Sequence, residues 1–307
     1  MANTIIMTEE ARPMWRDYFE LTKPVVVLLM LITALVGMIL AAKGVPDIAT
    51  MLWALVGIAL CSGASAAVNH VMDERIDLQM SRTKNRPVAQ GRINNRHALA
   101  FAFILTAIGL WMLFAFVNAI TAWLTLASSI GYAVVYTMYL KRATPQNIVI
   151  GGIAGAAPPL LGWTAITGSV DPLPLLLMLI IYVWTPPHFW ALAIHKREDY
   201  AKVGIPMLPV THGEEYTKLQ ILLYTLLLIA STLMPFAIGE LGWIYAIGAI
   251  ALGAGFLYWA VVLMWQDRKD AAIKTFTYSC FYLLALFAVM IVDHIVLPKT
   301  LIYSLGA

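Results

Sequence analysis

Apolar residues along this chain gather into nine long runs, near residues 24–42, 50–72, 98–117, 119–140, 146–166, 172–194, 219–238, 241–265 and 276–297. Each is close to the ~20 residues a helix needs to cross a hydrocarbon core about 30 Å thick. None alternates strictly between apolar and polar positions, so the pattern predicts spanning helices, not the strands of a barrel. Two pairs of runs meet at very short turns, at Asn118 and at Gly239-Glu240. Longer polar stretches, 73–97 and 195–218, follow the second and sixth runs, and stretches of that length are expected to be working loops. Their matching positions hint at a weak internal repeat. No low-complexity linker interrupts the pattern, and residues 1–307 are expected to form a single membrane domain.

Placing the cations on this pattern adds an orientation. Eighteen of the 20 Lys and Arg residues fall on one side, in the N-terminal segment 1–23 and the loops after runs two, four, six and eight. Only Lys43 and Lys299 fall on the other. The excess of basic residues marks the cytoplasmic side. The expectation is an all-α polytopic membrane protein of the cytoplasmic (inner) membrane, with its N-terminus cytoplasmic and its C-terminus periplasmic.

Composition agrees with that class. The 307 residues are 61% hydrophobic and 12% charged, with mean hydropathy +0.80, whereas a soluble domain carries about 25% charge. Cys61 and Cys280 both lie in apolar runs and read as small packing residues, with no disulfide framework. Residues 1–23, with Glu9, Glu10, Asp17 and Glu20, do not form a secretory signal, and the first apolar run is too long for one.

Charge intrudes most sharply at "AVNHVMDERIDLQMSRTKNRP", residues 67–87. Four residues turn a helix through about 400° and raise it about 6 Å, so Asn69, Asp73 and Asp77 form one stripe at the end of the second run. Residues 62–67, Ser-Gly-Ala-Ser-Ala-Ala, allow close helix approach and direct the stripe into the bundle. Carboxylates at such a depth are costly and usually functional. An amide and two carboxylates are hard oxygen donors suited to Mg²⁺, which commonly bridges to phosphates. Arg82, Lys84 and Arg86 follow as cations that can clamp phosphoryl oxygens. A charged helix end obeying the charge asymmetry would explain the basic residues alone, but not the stripe. Glu74 and His70 lie off it, as a partner for a loop cation and a packed histidine.

Two prolines, Pro186 and Pro187, precede His188 in the sixth run and are expected to kink it. Pro158-Pro159 should break the fifth run in the same way. Broken helices fit a bundle around a central cavity. An intramembrane histidine beside such a kink either lines that cavity or is satisfied between helices.

The stripe followed by "RTKNRP" resembles the first aspartate-rich motif of the UbiA-type intramembrane prenyltransferases, and the resemblance extends over nearly the whole chain. Residues 136–163, "YTMYLKRATPQNIVIGGIAGAAPPLLGW", and 184–210, "WTPPHFWALAIHKREDYAKVGIPMLPV", are similar to the protohaem IX farnesyltransferase branch of that family. The resemblance implies a Mg²⁺-dependent prenyl transfer with farnesyl diphosphate and protohaem IX (haem b) as substrates, haem being a substrate and not a cofactor. It implies membrane lipid and no nucleic acid as surroundings, and does not identify a downstream terminal oxidase or haem A synthase as partner.

Site residues follow from it one by one. Asn69, Asp73 and Asp77 would hold the metal. The family pattern has a second aspartate pair in loop 195–218, but this chain offers His195 and Asp199 at that spacing, which puts a symmetric two-motif site in doubt. Asp199 is expected as a further ligand, and Lys196 and Lys202, with Lys141 and Arg142, as diphosphate contacts. Asn147 caps a helix or meets a polar substrate group. His188, His195, Trp184 and Tyr136 are candidates for the haem or substrate pocket, His188 as an iron contact or a hydrogen-bond partner. Tyr132, Tyr139, Trp163, Phe189 and Trp190 are further aromatics that could face an allylic cation. Competing readings are a related prenyltransferase acting on a quinone precursor or chlorophyllide, and a transporter gated by its broken helices.

Overall fold

The computed structural model describes residues 14–42, 46–81, 83–266 and 268–297. Arg12, Lys43 and Lys299, counted above for orientation, and Arg82, a candidate site residue, lie outside the described residues. Regular structure within them is helical throughout. Nine of the described helices are long and apolar enough to cross a membrane: α1 Pro24–Ala41, α2 Ile48–Asp77, α3 Asn95–Phe116, α4 Ala119–Ala143, α5 Asn147–Thr167, α6 Pro172–His195, α7 Glu214–Ala237, α8 Trp243–Trp265 and α9 Ala271–Val296. They coincide with the nine apolar runs, and the protein is a multi-pass membrane protein.

Helix starts are set by local chemistry. Pro24 opens α1, where its missing N–H costs nothing. Asp47 accepts from the Thr50 backbone N–H at 2.8 Å to start α2, and Asn94 from that of Arg96 at 2.8 Å to start α3. Asn118 caps α4 by accepting from Thr121 N–H at 2.9 Å, while its amide donates to the Thr164 carbonyl at 2.8 Å. That second bond ties the short α3–α4 turn to α5.

Two helices depart from regular geometry where the site will stand. α5 is broken between Asn147–Gly155 and Pro158–Thr167, as its proline pair predicts. α4 is not the regular helix expected of its apolar run: Gly131–Leu140 winds as a π-helix. The wider turn lets Thr137 Oγ1 donate to the Tyr132 carbonyl, five residues back, at 2.9 Å. α6, by contrast, runs through Pro186 and Pro187 without interruption.

Packing sets α5 at the centre. Its second half, Pro158–Thr167, touches α1, α2, α4 and α6 and is buried over most of its length. The approach to α1 is so close that a Cβ on Gly162 would lie 1.9 Å from the Ala34 carbonyl oxygen. Helices α6 to α9 share a second core around Leu177, Leu228, Tyr245, Phe256, Tyr282 and Met290. At its charge-poor end Asp293 of α9 accepts from the backbone of Gly242 at 2.6 Å and of Tyr245 at 2.9 Å, capping α8.

Candidate active site

The α2 helix is 30 residues long, about 45 Å, so it outlasts its apolar run and carries the polar stripe as a continuation. Asn69, Asp73 and Asp77 are 4%, 1% and 3% exposed. The stripe faces inward, as the small residues before it predict. Burying two carboxylates costs several kcal/mol each unless partners answer them, and Lys23 before α1, Arg86 in the α2–α3 loop and Lys141 and Arg142 at the end of α4 supply those partners.

Asp73 accepts from the Asn69 amide at 2.8 Å and from Lys141 Nζ at 2.5 Å, both on Oδ2. Its other oxygen is sealed and makes no hydrogen bond. Arg142 donates to the Met72 carbonyl at 2.8 Å and lies 4.0 Å from Asp73 Oδ1. Asp77 receives Arg86 Nη1 on both oxygens, at 2.9 and 2.7 Å. Asn69 also donates to Thr137 Oγ1 at 3.3 Å, which anchors the π-helical segment to the stripe. Asn147, fully buried at the start of α5, donates to the Lys141 carbonyl at 3.1 Å and leaves its own side-chain oxygen unpartnered.

Sequence reasoning missed Lys23, which it counted only toward charge asymmetry. Its Nζ donates to Asn69 Oδ1. It is the one non-glycine residue with positive φ among the described residues, at 50°, a conformation costing about 1 kcal/mol or more for an L-residue. Burial, aided by the neighbouring Arg86 and Lys141 charges, pulls its ammonium down to about 7 against the opposing Asp73 and Asp77. The following Pro24 favours extended backbone at Lys23, not the left-handed conformation found, so the local sequence held no signal for this contact. Thr137 was missed as well.

The two long loops meet over this cluster. Ile76 and Met80 pack with Ile148, Tyr200, Ile205 and Met207 as an apolar roof. Ser81 Oγ donates to Asp199 Oδ2 at 3.3 Å across the two loops. Asp199 itself lies in the first turn of the short helix Arg197–Lys202. It borders a cleft of about 350 Å³ lined also by His195, Lys196, Arg197, Glu198 and Glu214. His195, Lys196 and Lys202 are exposed.

Asp199, expected as a further ligand, stands apart from Asp73 and Asp77, across the contact with Ser81. Among the described residues no three His, Cys, Asp or Glu side chains are grouped closely enough to hold a metal. Asp199 is not gathered with Asp73 and Asp77 because Arg86 and Lys141 already neutralise those two, while Asp199 stays across the loop contact. Lys84, expected beside Arg86, is exposed. Tyr136 stacks on Tyr132 at 5.7 Å and lies over Gly151, where a Cβ would meet its ring at 2.1 Å. His188 and Trp184 sit elsewhere, in the contact between α6 and α9: the His188 Nδ1 pairs with Ser279 Oγ at 2.6 Å, and Trp184 donates to the Ser279 carbonyl at 2.9 Å.

Among the described residues, nine spanning helices and a buried Asn-Asp-Asp stripe under two packed loops have the build of an intramembrane site. Residues 30–288 match the UbiA prenyltransferase family, and the chain belongs to it. It is 60% identical over 303 residues, 98% of this chain and 100% of the relative, to the protoheme IX farnesyltransferase of Hahella chejuensis. It is 62% identical to that of Marinobacter nauticus, covering 92% and 93% of the two chains. Among solved structures it resembles a digeranylgeranylglyceryl phosphate synthase, with TM-score 0.79, 20% identity and coverage of 92% and 99%. It also resembles a UbiA homolog from Archaeoglobus fulgidus bound to DMAPP and Mg²⁺, with TM-score 0.64, 17% identity and coverage of 89% and 99%.

Proposed function

We propose that this protein transfers the farnesyl group of farnesyl diphosphate to a vinyl group of protohaem IX, with addition of water, giving haem O and diphosphate. The observation that carries the acceptor is the 60% identity, over nearly the full length of both chains, to relatives named protoheme IX farnesyltransferase. The buried stripe carries the donor.

The donor set fits Mg²⁺. Asn69, Asp73 and Asp77 offer hard oxygens on one stripe, and the sealed, unpartnered Asp73 Oδ1 is the kind of atom a cation satisfies. Bound there, Mg²⁺ would supply positive charge for the departing diphosphate. The likeness to a structure holding DMAPP and Mg²⁺ supports this reading.

The chain's own residues do the rest. Lys23, Lys141 and Arg86 now spend their charge on Asn69, Asp73 and Asp77. These three cations stand beside the oxygens that would hold the metal, where they would also be in reach of phosphoryl oxygens. Arriving negative charge also favours the protonated form of Lys23. Lys84, Arg142, Lys196 and Lys202 line the outer approach and attract the anion before it is enclosed. The Met80–Tyr200–Met207 roof keeps water from the ionising allylic bond. Tyr132 and Tyr136 present π faces beside the stripe, where an allylic cation would need them. The charge asymmetry supports a cytoplasmic position for this face, in a protein of the inner membrane.

The transporter reading loses its polar pathway. At the charge-poor end Asp47 caps α2, Asp171 accepts from Trp163 Nε1 at 2.7 Å, and Asp293 caps α8. Asp47 and Asp293 thus close helix ends, and Asp171 is held by Trp163 and Ser169. Purified protein with farnesyl diphosphate, haem b and Mg²⁺ should yield haem O by mass. Farnesylation of 4-hydroxybenzoate or chlorophyllide with haem b left unchanged would overturn the acceptor.

A further inference from the structure

The contact between α6 and α9 holds a histidine whose tautomer can be deduced. Ser279 Oγ lies 2.6 Å from the Phe276 carbonyl oxygen and 2.6 Å from His188 Nδ1. Both contacts need a hydrogen between their heavy atoms, and a carbonyl has none to give. The serine hydroxyl therefore donates to Phe276, and His188 Nδ1–H donates to the serine. That leaves Nε2 as the nitrogen with a free lone pair.

The surroundings then set the direction from which that lone pair can be met. Trp184 stacks on the imidazole at 4.1 Å and 22°, and Phe276 at 4.6 Å and 30°. With both faces covered and Phe189 set edge-on at 5.1 Å and 88°, the approach left open is in the ring plane, away from Phe189. The histidine is 9% exposed, and Nε2 makes no hydrogen bond to a described residue, yet it is not among the sealed polar atoms, as both nitrogens of His70 are. The residual opening therefore reaches Nε2. The site lies seven residues, about 10 Å, along α6 from His195 at the charge-rich edge, within the apolar layer where an idle imidazole is costly.

A histidine that donates through one nitrogen to a fixed oxygen and offers the other in plane is arranged as metal-binding histidines are. The class of ligand that meets an unshared nitrogen pair end-on in an apolar layer is a metal centre carried by a flat apolar molecule. Resting on the acceptor proposed above, we infer that His188 Nε2 ligates the iron of the porphyrin acceptor, with Ser279 as the positioning residue that holds the tautomer. The bond is a dative one from nitrogen to iron and requires no change of oxidation state.

The test needs no turnover. The full-length protein is titrated with ferric haem b in the absence of farnesyl diphosphate, and binding is followed by optical and electron paramagnetic resonance spectra. The expected result is an imidazole-ligated spectrum that disappears in His188→Ala and returns when free imidazole is added to that variant. Ser279→Ala should keep the ligation but weaken haem binding about tenfold, the scale on which losing such an orienting partner acts. Metal-free protoporphyrin IX should bind the wild type more weakly than haem, and His188→Ala should lose that preference. The inference is overturned if folded His188→Ala gives the wild-type spectrum, or if wild-type haem looks like haem in detergent alone. Ser279→Ala carries the test should His188→Ala fail to fold: an unchanged spectrum and affinity there overturn the positioning role. Farnesyl transfer to haem with an unchanged His188→Ala spectrum would sink this inference and leave the proposed activity standing. Ligation through His188 without transfer would do the reverse.

Discussion

The two halves of the candidate site are built differently. On α2, Asn69, Asp73 and Asp77 are buried, and Lys23, Lys141 and Arg86 reach them from three other segments. On the α6–α7 loop, His195, Lys196 and Lys202 are exposed, and Asp199 is tied to the rest by one 3.3 Å bond from Ser81. The first half is a prepaid ion network, in which each charge is already desolvated and paired. The second is a solvated rim that must move or attract its ligand. Electrostatics in a dry site are far stronger than in water, so the same kind of substitution should cost much more on α2 than on the rim.

The largest effect is expected at Asp73. Asp73→Ala leaves Lys141 without its carboxylate and Asn69 without its acceptor, both inside the protein. Breaking a buried pair from one side destabilises by about 3–5 kcal/mol. Haem O formation should become undetectable, and the melting temperature in detergent should drop. Asp73→Asn, which keeps the shape, should also abolish turnover while recovering part of the stability. Retained turnover in either variant would remove Asp73 from the site and erase the contrast between the halves. Removing divalent metal with EDTA should likewise stop turnover, and Mg²⁺ should restore it; no effect of EDTA would end the metal role alone.

Next comes Arg86, whose guanidinium meets both oxygens of Asp77. Arg86→Lys keeps the charge but loses the planar fork. Losing one positioned, charge-stabilising donor in a dry site costs about 10²–10³ in rate, and Arg86→Lys should approach the lower figure in kcat. Asp199→Ala should be milder, about tenfold, on the scale of one net hydrogen bond at 1.5 kcal/mol or less, and should leave the melting temperature unchanged. If Asp199→Ala matches Asp73→Ala, the rim closes into a full second half-site upon ligand binding.

The parts of this contrast differ in how they could be read beforehand. The nine spans were legible because membrane thickness imposes a length that few other constraints share. The stripe was legible because a four-residue step is a property of one helix. Its partners were not: Lys23 stands 46 positions from Asn69 and Lys141 68 from Asp73, separations that local pattern does not span. Arg86 and Lys84 were read as equals, yet two residues of loop turn one inward and the other out. The π-helical turn at Gly131–Leu140 has an ordinary apolar sequence, and its Thr137 is held by Asn69 from another helix, a contact local pattern does not show. His188 stood out in the sequence as an intramembrane histidine beside two prolines, but its hydrogen-bond partner lies 91 residues away.

The smallest expected effect sharpens the contrast most finely. Lys202 is exposed, and it makes no ion pair among the described residues. Its proposed share in binding is attraction of the diphosphate through solvent, where an exposed pair is worth about 1 kcal/mol or less. Lys202→Ala should therefore lower kcat/KM by no more than about fivefold, through KM, with kcat unchanged. Screening shortens from about 10 Å at 0.1 M salt to about 3 Å at 1 M, so the difference from the wild type should vanish at high salt. The Arg86→Lys defect should persist there, because its pair is shielded by protein and not by water. A Lys202→Ala defect in kcat that survives 1 M salt would mean that this lysine leaves the rim and touches the departing diphosphate directly. The half that looks open here would then be the half that closes during the reaction.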